Sequence, residues 1–593
     1  MLRFVLGLGV ILLLAGCTKK IDVHRTLGPD QAICQSTIQL RKGNTEPTRK
    51  DNNPARCFLQ THALPTPELK PNPETPKVLP VTWAQTATAG GRKLQQSDAY
   101  SLAFVEIADS GKLQHPQQLS ALTSHLHALQ QAKVQNYVIA FVHGWRHDAS
   151  LRDDDVRKFR ILLGYARAAL NTRCVDRGNY CDVALTGVFV AWRGRSMIEP
   201  ILVADGKLNP FNILVAPTLW DRKAQSDRLA TGQNPPLALV MDGIQQQLKL
   251  SPGNPKKDKF LIVGHSLGGN MLASLMEQRS LRAINSPAFG NGRPMAPPLG
   301  DLVVLLNPAA EAAKWTSLQQ AMRNKVHLSR ADNFLTSTVD GALDEDLWRR
   351  LKPWREMFPL TQRPVYISIT ATANWHGFER QNREVDYDSA TGVLFPLSRW
   401  LAGARTPEDK QAIGHLVPDY RTQTTLNGPT IGATHELSVN QSAGKRASYQ
   451  RSATPTLSRC DAANGWLLAV RRDQQANDWT YGDAWDYGLS PREADGRLEA
   501  AENIARSVNP ASIQWRHSLN LRRQRDLWSV VSGRSPFWNV RAMDTAIRQH
   551  AGWVNYPMWC ALNQLVLDDV VSPRPLDDNV KAILEVGLAA DLQ

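Results

Sequence analysis

"KFLIVGHSLGGNMLASLMEQ", residues 259–278, sets an apolar run, a tight Gly-His-Ser-Leu-Gly-Gly corner and a helix-like stretch side by side. Phe260, Leu261, Ile262 and Val263 read as a strand buried on both faces, since consecutive apolar residues leave no side for water. Asn270 to Glu277 reads as a helix, with Met271, Leu272, Leu275 and Met276 as its apolar positions. Gly264 and Gly268 lack the Cβ atoms that would collide where a strand and a helix approach across so short a turn. Ser266 is therefore expected in a strained backbone conformation, projecting above the sheet. A bare Gly-x-Ser-x-Gly match carries little weight; the strand before it and the helix after it carry the signal.

In that context the residues resemble the nucleophile elbow of α/β-hydrolase-fold enzymes, in the Gly-His-Ser-x-Gly-Gly form of lipases and esterases. The resemblance implies an α/β fold, a mainly parallel sheet flanked by helices, with Ser266 as nucleophile. It also implies the chain order Ser, acid, His, each at the C-terminal end of a strand.

Working outward, strand and helix patterns alternate. "SLAFVEIA", a helix over 116–131, "YVIAFVHG", a helix over 155–170 and "LTGVFVAW" precede the corner, together with a helix over 237–248. "DLVVLLNPA", "PVYISITA", "FWNVRAMD" at 537–544 and a helix over 558–567 follow it. Such alternation predicts a mainly parallel sheet covered by helices. Between about 397 and 530 the rhythm gives way to Ser-, Thr-, Asn- and Gly-rich loops and the aromatic cluster Trp479, Trp485, Tyr481 and Tyr487. That segment reads as a large insertion or cap before the last core strand. The expected division is thus 1–17 signal peptide, 18–95 polar Pro-rich tether, 96–396 first part of the core, 397–530 insertion, and 531–593 last strand, histidine loop and closing helix.

Serine is a weak nucleophile until a base takes its proton, so a histidine, an orienting acid and oxyanion donors must come from other loops. "FVHGWRHDA" contains His143-Gly144, which resembles the turn that supplies an oxyanion-hole amide in this superfamily, and implies the Trp145 N–H as one donor and that of Leu267 as the other. His143 itself is given no base role. For the acid, "DSATGVLFP" resembles a turn of bacterial members of the fold, which implies Asp388, with Asp386 and Glu384 as fallbacks and the preceding dozen residues as an insertion. For the base, "FWNVRAMDTAIRQHAGWVNYPMWCALNQLVL" supplies strand, loop, His550 and helix in the required order. His435 and His415 remain alternative bases, nearer Asp388 in sequence but without an apolar strand directly before them.

The N-terminus, "MLRFVLGLGVILLLAGCTKK", places Arg3 before an apolar run too short to span a bilayer comfortably. Leu14, Ala15, Gly16 and Cys17 resemble a bacterial lipobox, which implies cleavage before Cys17, its acylation, and an outer-membrane address in the cell envelope facing the periplasm. Six cysteines remain, compatible with disulfides in an exported chain. Cys174 with Cys181, flanking a hairpin-like "VDRGNY", and Cys34 with Cys57 are the preferred pairs; Cys560 is read as either a buried thiol or a partner of Cys460.

A formal charge of +14 suits an anionic surface such as phospholipid or lipopolysaccharide headgroups. The basic residues are dispersed and match no nucleic-acid-binding motif, so nucleic acid is not an expected partner. Zinc spacings, a Walker loop and a dinucleotide fingerprint are all missing from the sequence, so no cofactor or metal is expected. The expectation is a membrane-anchored serine hydrolase acting on carboxylic esters, lipids among them. A non-enzymatic envelope binding protein on the same scaffold and an acyltransferase using the same triad are the alternatives.

Overall fold

A computed structural model describes residues 35–39, 57–63, 88–89, 92–93, 99–150, 153–177, 180, 182–195, 216–325 (apart from 253, 255 and 291), 357–358, 362–371, 388–415, 435–438, 467–469, 535–542, 547, 550–553 and 556–567. Besides a small hairpin of Thr88–Ala89 with Arg92–Lys93, the strands of its main sheet are β1 (Gln35–Gln39), β2 (Leu59–Ala63), β3 (Ala99–Ile107), β4 (Gln135–Val142), β5 (Val183–Trp192), β6 (Lys259–His265), β7 (Leu302–Leu306), β8 (Tyr366–Ala371), β9 (His435–Ser438), β10 (Leu467–Ala469) and β11 (Phe537–Ala542). They form one sheet in the order β1-β2-β3-β5-β4-β6-β7-β8-β11-β9-β10. From β3 through β11 to β9 every neighbouring pair is parallel. β2 runs antiparallel to β3, and β10 antiparallel to β9.

The central strands are apolar end to end because both of their faces are covered. All seven residues of β6 are buried, as are all of β7 and β8. The helices are α1 (Pro116–Gln131), α2 (Asp154–Arg177), α3 (Ala216–Ala230), α4 (Pro236–Gln245), α5 (Leu267–Asn285), α6 (Ala313–Lys325), α7 (Phe395–Leu401), α8 (Pro407–Lys410) and α9 (Tyr556–Leu567). α1 packs on α4, α4 on α3, α3 on α5 and α5 on α6, while α2 packs on α9. The chain is therefore an α/β protein with a mainly parallel sheet flanked by helices, and parallel crossovers bring the C-terminal ends of β4, β6, β7, β8 and β11 to a common edge.

Several expectations need correction. β1 and β2 lie inside the stretch read as a tether, 18–95, yet they extend the sheet; β2 is paired on both sides and buries Gln60 and His62, whose side chains bond to each other. The boundary at 397 falls within α7, and β9 and β10, from the segment read as an insertion, continue the sheet beyond β11. α2 extends to Arg177, so Cys174 sits in a helix rather than beside a hairpin. Cys57 is disulfide-bonded. Cys17, Cys34, Cys181, Cys460 and the cluster from Trp479 to Tyr487 lie outside the described residues. Among the described residues no helix is long and apolar enough to cross a membrane.

Candidate active site

The corner after β6 is shaped by close backbone approach. A Cβ on Gly264 would lie 2.6 Å from the Gly268 carbonyl oxygen, and one on Gly144 would lie 2.7 Å from Ser266 Cβ. Glycine at 144 thus lets the turn after β4 press directly on the serine. Ser266 adopts φ 54° and ψ −117°, a conformation that L-residues rarely hold. Its N–H donates to Leu306 O, while its carbonyl accepts from Asn270 N and Ala309 N. Arg146 (φ 71°) and Asn307 (φ 44°) are also left-handed, so strain gathers at the ends of β4, β6 and β7.

Leu267 is the first residue of α5, so its N–H has no acceptor one turn back in the helix and faces out of its N-terminus. Trp145, half-buried, follows Gly144 directly and carries the Arg146 guanidinium 4.7 Å from its ring centroid. His143 is committed to structure. Its Nε2 accepts from Trp192 N (3.1 Å), which leaves the proton on Nδ1 for the Gly144 carbonyl (2.9 Å), and the ring stacks on Phe189 and Trp192.

Asp388 joins the site although residues 372–387 separate it from β8. Its N–H donates to Ala371 O, the last residue of that strand, so the acid stands where an uninterrupted strand-to-loop turn would put it. The side chain is buried, and His550 Nδ1 lies 3.0 Å from each carboxylate oxygen. Oδ1 also accepts from Ala390 N and Thr391 N, and Oδ2 from the Thr391 hydroxyl. Burial alone pushes the carboxyl up, but the His550 charge and hydrogen bond, with help from His415 and Thr391, hold it down at about 2. An ionised Asp388 only accepts, so neutral His550 carries its proton on Nδ1 and its lone pair on Nε2.

The alternative bases are placed elsewhere. His415, buried in the turn Ile413–His415, puts Nε2 3.0 Å from Thr391 Oγ1 and so addresses the acid through Thr391. Burial brings its pKa down to about 4, against the upward pull of Asp388. His435 opens β9 with its Cα paired to Val540, inside the sheet rather than on the loop after β11. The fallback acids Asp386 and Glu384 lie outside the described residues. Among the described residues no group of three or more His, Cys, Asp or Glu could hold a metal ion.

Sequence reading missed three contributors. Thr391 lay within the quoted Asp-Ser-Ala-Thr turn, and only its contact with Asp388 distinguishes it. Asn307, in "LLNPA", accepts from Ala371 N and donates to the His550 carbonyl at 2.9 Å. His265, beside the serine, lies 2.9 Å from that same carbonyl through Nε2. No family model, curated relative or solved structure matches the chain. The functional reading therefore rests on this geometry.

Proposed function

We propose that the chain is a serine hydrolase of the α/β-hydrolase fold that cleaves carboxylic esters through an acyl-enzyme. The observation that carries the reading is the buried Asp388 paired to His550 Nδ1, on the same sheet edge as a strained Ser266. Ser266 Oγ attacks the ester carbonyl carbon while His550 Nε2 takes the hydroxyl proton, and Asp388 stabilises the imidazolium that results. The N–H groups of Trp145 and Leu267 receive the charge that develops on the carbonyl oxygen. Collapse of the tetrahedral adduct breaks the bond to the alcohol, which leaves with the proton from His550. Water then repeats the sequence on the acyl-enzyme, releasing the acid and restoring the Ser266 hydroxyl. On the strength of the lipobox-like junction at Cys17, the enzyme is placed in a bacterial envelope, held to the membrane by a lipid and acting on ester substrates there.

The test is labelling with a fluorophosphonate followed by peptide mapping, with the label expected on Ser266 alone. His550→Ala should abolish labelling, whereas His435→Ala should leave it intact. A chain that binds no probe, or carries it elsewhere, overturns the proposal.

A further inference from the structure

A second carboxylate–imidazole pair lies behind the first and touches the base through its backbone. His265 Nε2 and Asn307 Nδ2 each lie 2.9 Å from the His550 carbonyl oxygen. A carbonyl only accepts, so His265 holds a proton on Nε2 for this contact. Its other nitrogen, Nδ1, is 3.6 Å from Oδ2 of Asp155, longer than an ordinary hydrogen bond.

Asp155 is fully buried and neither of its carboxylate oxygens has a hydrogen-bond partner. An isolated buried charge is costly, and this one is offset by a ring of basic groups. His147 Nε2 is 3.6 Å from Oδ2 and Lys158 Nζ is 3.9 Å from Oδ1. His147 is itself bonded to Asp153 at 3.0 Å. The cluster draws on the start of α2, the loop after β4 and the end of β6, and through His265 it reaches the loop bearing His550.

We propose that His265 is a positioning residue: together with Asn307 it fixes the His550 carbonyl and thereby the placement of the imidazole relative to Ser266. The proposal rests on the hydrolase reading given above. Because His265 directly precedes Ser266, the nucleophile and the grip on the base share one stretch of backbone, and a shift of the strand end carries both together. The two imidazoles also approach closely, with ring centroids 4.8 Å apart. A neutral His265 beside the imidazolium of the reaction avoids like-charge repulsion, and burial lowers the pKa of His265 against the pull of Asp155.

The experiment compares His265→Gln, whose amide can still donate to the carbonyl, with His265→Leu, which cannot. Folding is checked by circular dichroism. His265→Leu is expected to react with the fluorophosphonate on the order of 100-fold more slowly, the cost of misplacing a reacting group by about 1 Å. On a short p-nitrophenyl ester its kcat should fall while KM holds. His265→Gln should recover most of the rate, and Asp155→Asn should alter the pH profile of labelling, since it unbalances His147, Asp153, Lys158 and His265 together. A folded His265→Leu that labels at the wild-type rate, or a His265→Gln as slow as the leucine variant, overturns the proposal. If His265→Leu does not fold, Asn307→Asp is read in its place: it keeps the acceptor for Ala371 N and removes the donor, and an unchanged rate is equally fatal.

A separate readout distinguishes failure of this proposal from failure of the hydrolase reading. The proton between His550 Nδ1 and Asp388 gives a low-field 1H NMR resonance whether or not the chain turns over an ester. It should persist in wild type and His265→Gln and be lost in His265→Leu. If wild type takes no probe, the hydrolase reading falls; if the resonance survives in His265→Leu, the positioning role falls.

Discussion

Thr391→Val removes one oxygen from the buried polar chain that ends on Asp388. The threonine hydroxyl has one proton, and an ionised carboxylate can only accept, so that proton goes to Asp388 Oδ2. Thr391 Oγ1 then accepts from His415 Nε2–H at 3.0 Å. Valine keeps the branched shape but breaks both bonds. Losing a hydrogen bond to a charged group costs about 1.5–3 kcal/mol, and removing the acceptor that the buried His415 N–H uses costs about 1–3 kcal/mol more. The added methyl returns about 1 kcal/mol of apolar burial, so the net loss is about 3 kcal/mol. Urea unfolding followed by tryptophan fluorescence is the assay, the chain having 17 tryptophans. With a denaturant slope of about 3 kcal/mol per M, the midpoint should fall by about 1 M. Thr391→Ser restores the hydroxyl and should stay within about 1 kcal/mol of wild type. The reasoning is refuted if valine leaves the midpoint unchanged, or if serine destabilises as much as valine, because the hydroxyl would then carry none of the effect.

Gly264→Ala should cost about 1–3 kcal/mol by overpacking, read as a lowered melting temperature, since the new Cβ would sit 2.6 Å from the Gly268 carbonyl and 2.8 Å from Leu272 Cδ1. His415 gives a pH signature. Its folded pKa, about 4, lies below the ordinary 6.5, so its contribution is complete above 6.5 and is lost as pH falls through about 4, because the unfolded chain binds the extra proton. Wild type should therefore lose about 3 kcal/mol across that window from this residue, and His415→Gln should show a flatter melting temperature between pH 7 and pH 4. Intact-mass analysis of envelope-purified protein should find an acylated Cys17 at the mature N-terminus; an unmodified chain beginning elsewhere would end that proposal.

Much of the central scaffold could be read residue by residue. Phe260 to Val263, Leu302 to Leu306 and Tyr366 to Ala371 announce themselves as buried strands because a strand covered on both faces has no polar side to confuse the pattern. β1 and β2 are hard to recognise in "QSTIQ" and "LQTHA" because both are polar: β1 lies at the sheet edge, which asks little of its side chains, while β2 buries Gln60 and His62 by bonding them to each other. The helix expected over 155–170 runs on through Arg177, since residues 171–177 contain no Gly or Pro and the breaker, Gly178, follows them.

Local patterning was enough to mark Ser266, since its strain, its flanking glycines and the helix behind it all lie within a few residues of one another. Hydrophobic periodicity likewise singled out the strand before His550. What only the tertiary structure decided is which polar groups face each other. Asp388 and His550 are 162 positions apart, and nothing local to either encodes their contact. The return of Asp388 to Ala371, the diversion of His415 onto Thr391 and the grip of His265 on the His550 carbonyl depend on how separate parallel strands end at one edge. Periodicity reports which side of an element is buried; hydrogen-bond partners across a fold follow from crossovers and strand order, which side-chain spacing along the chain does not carry.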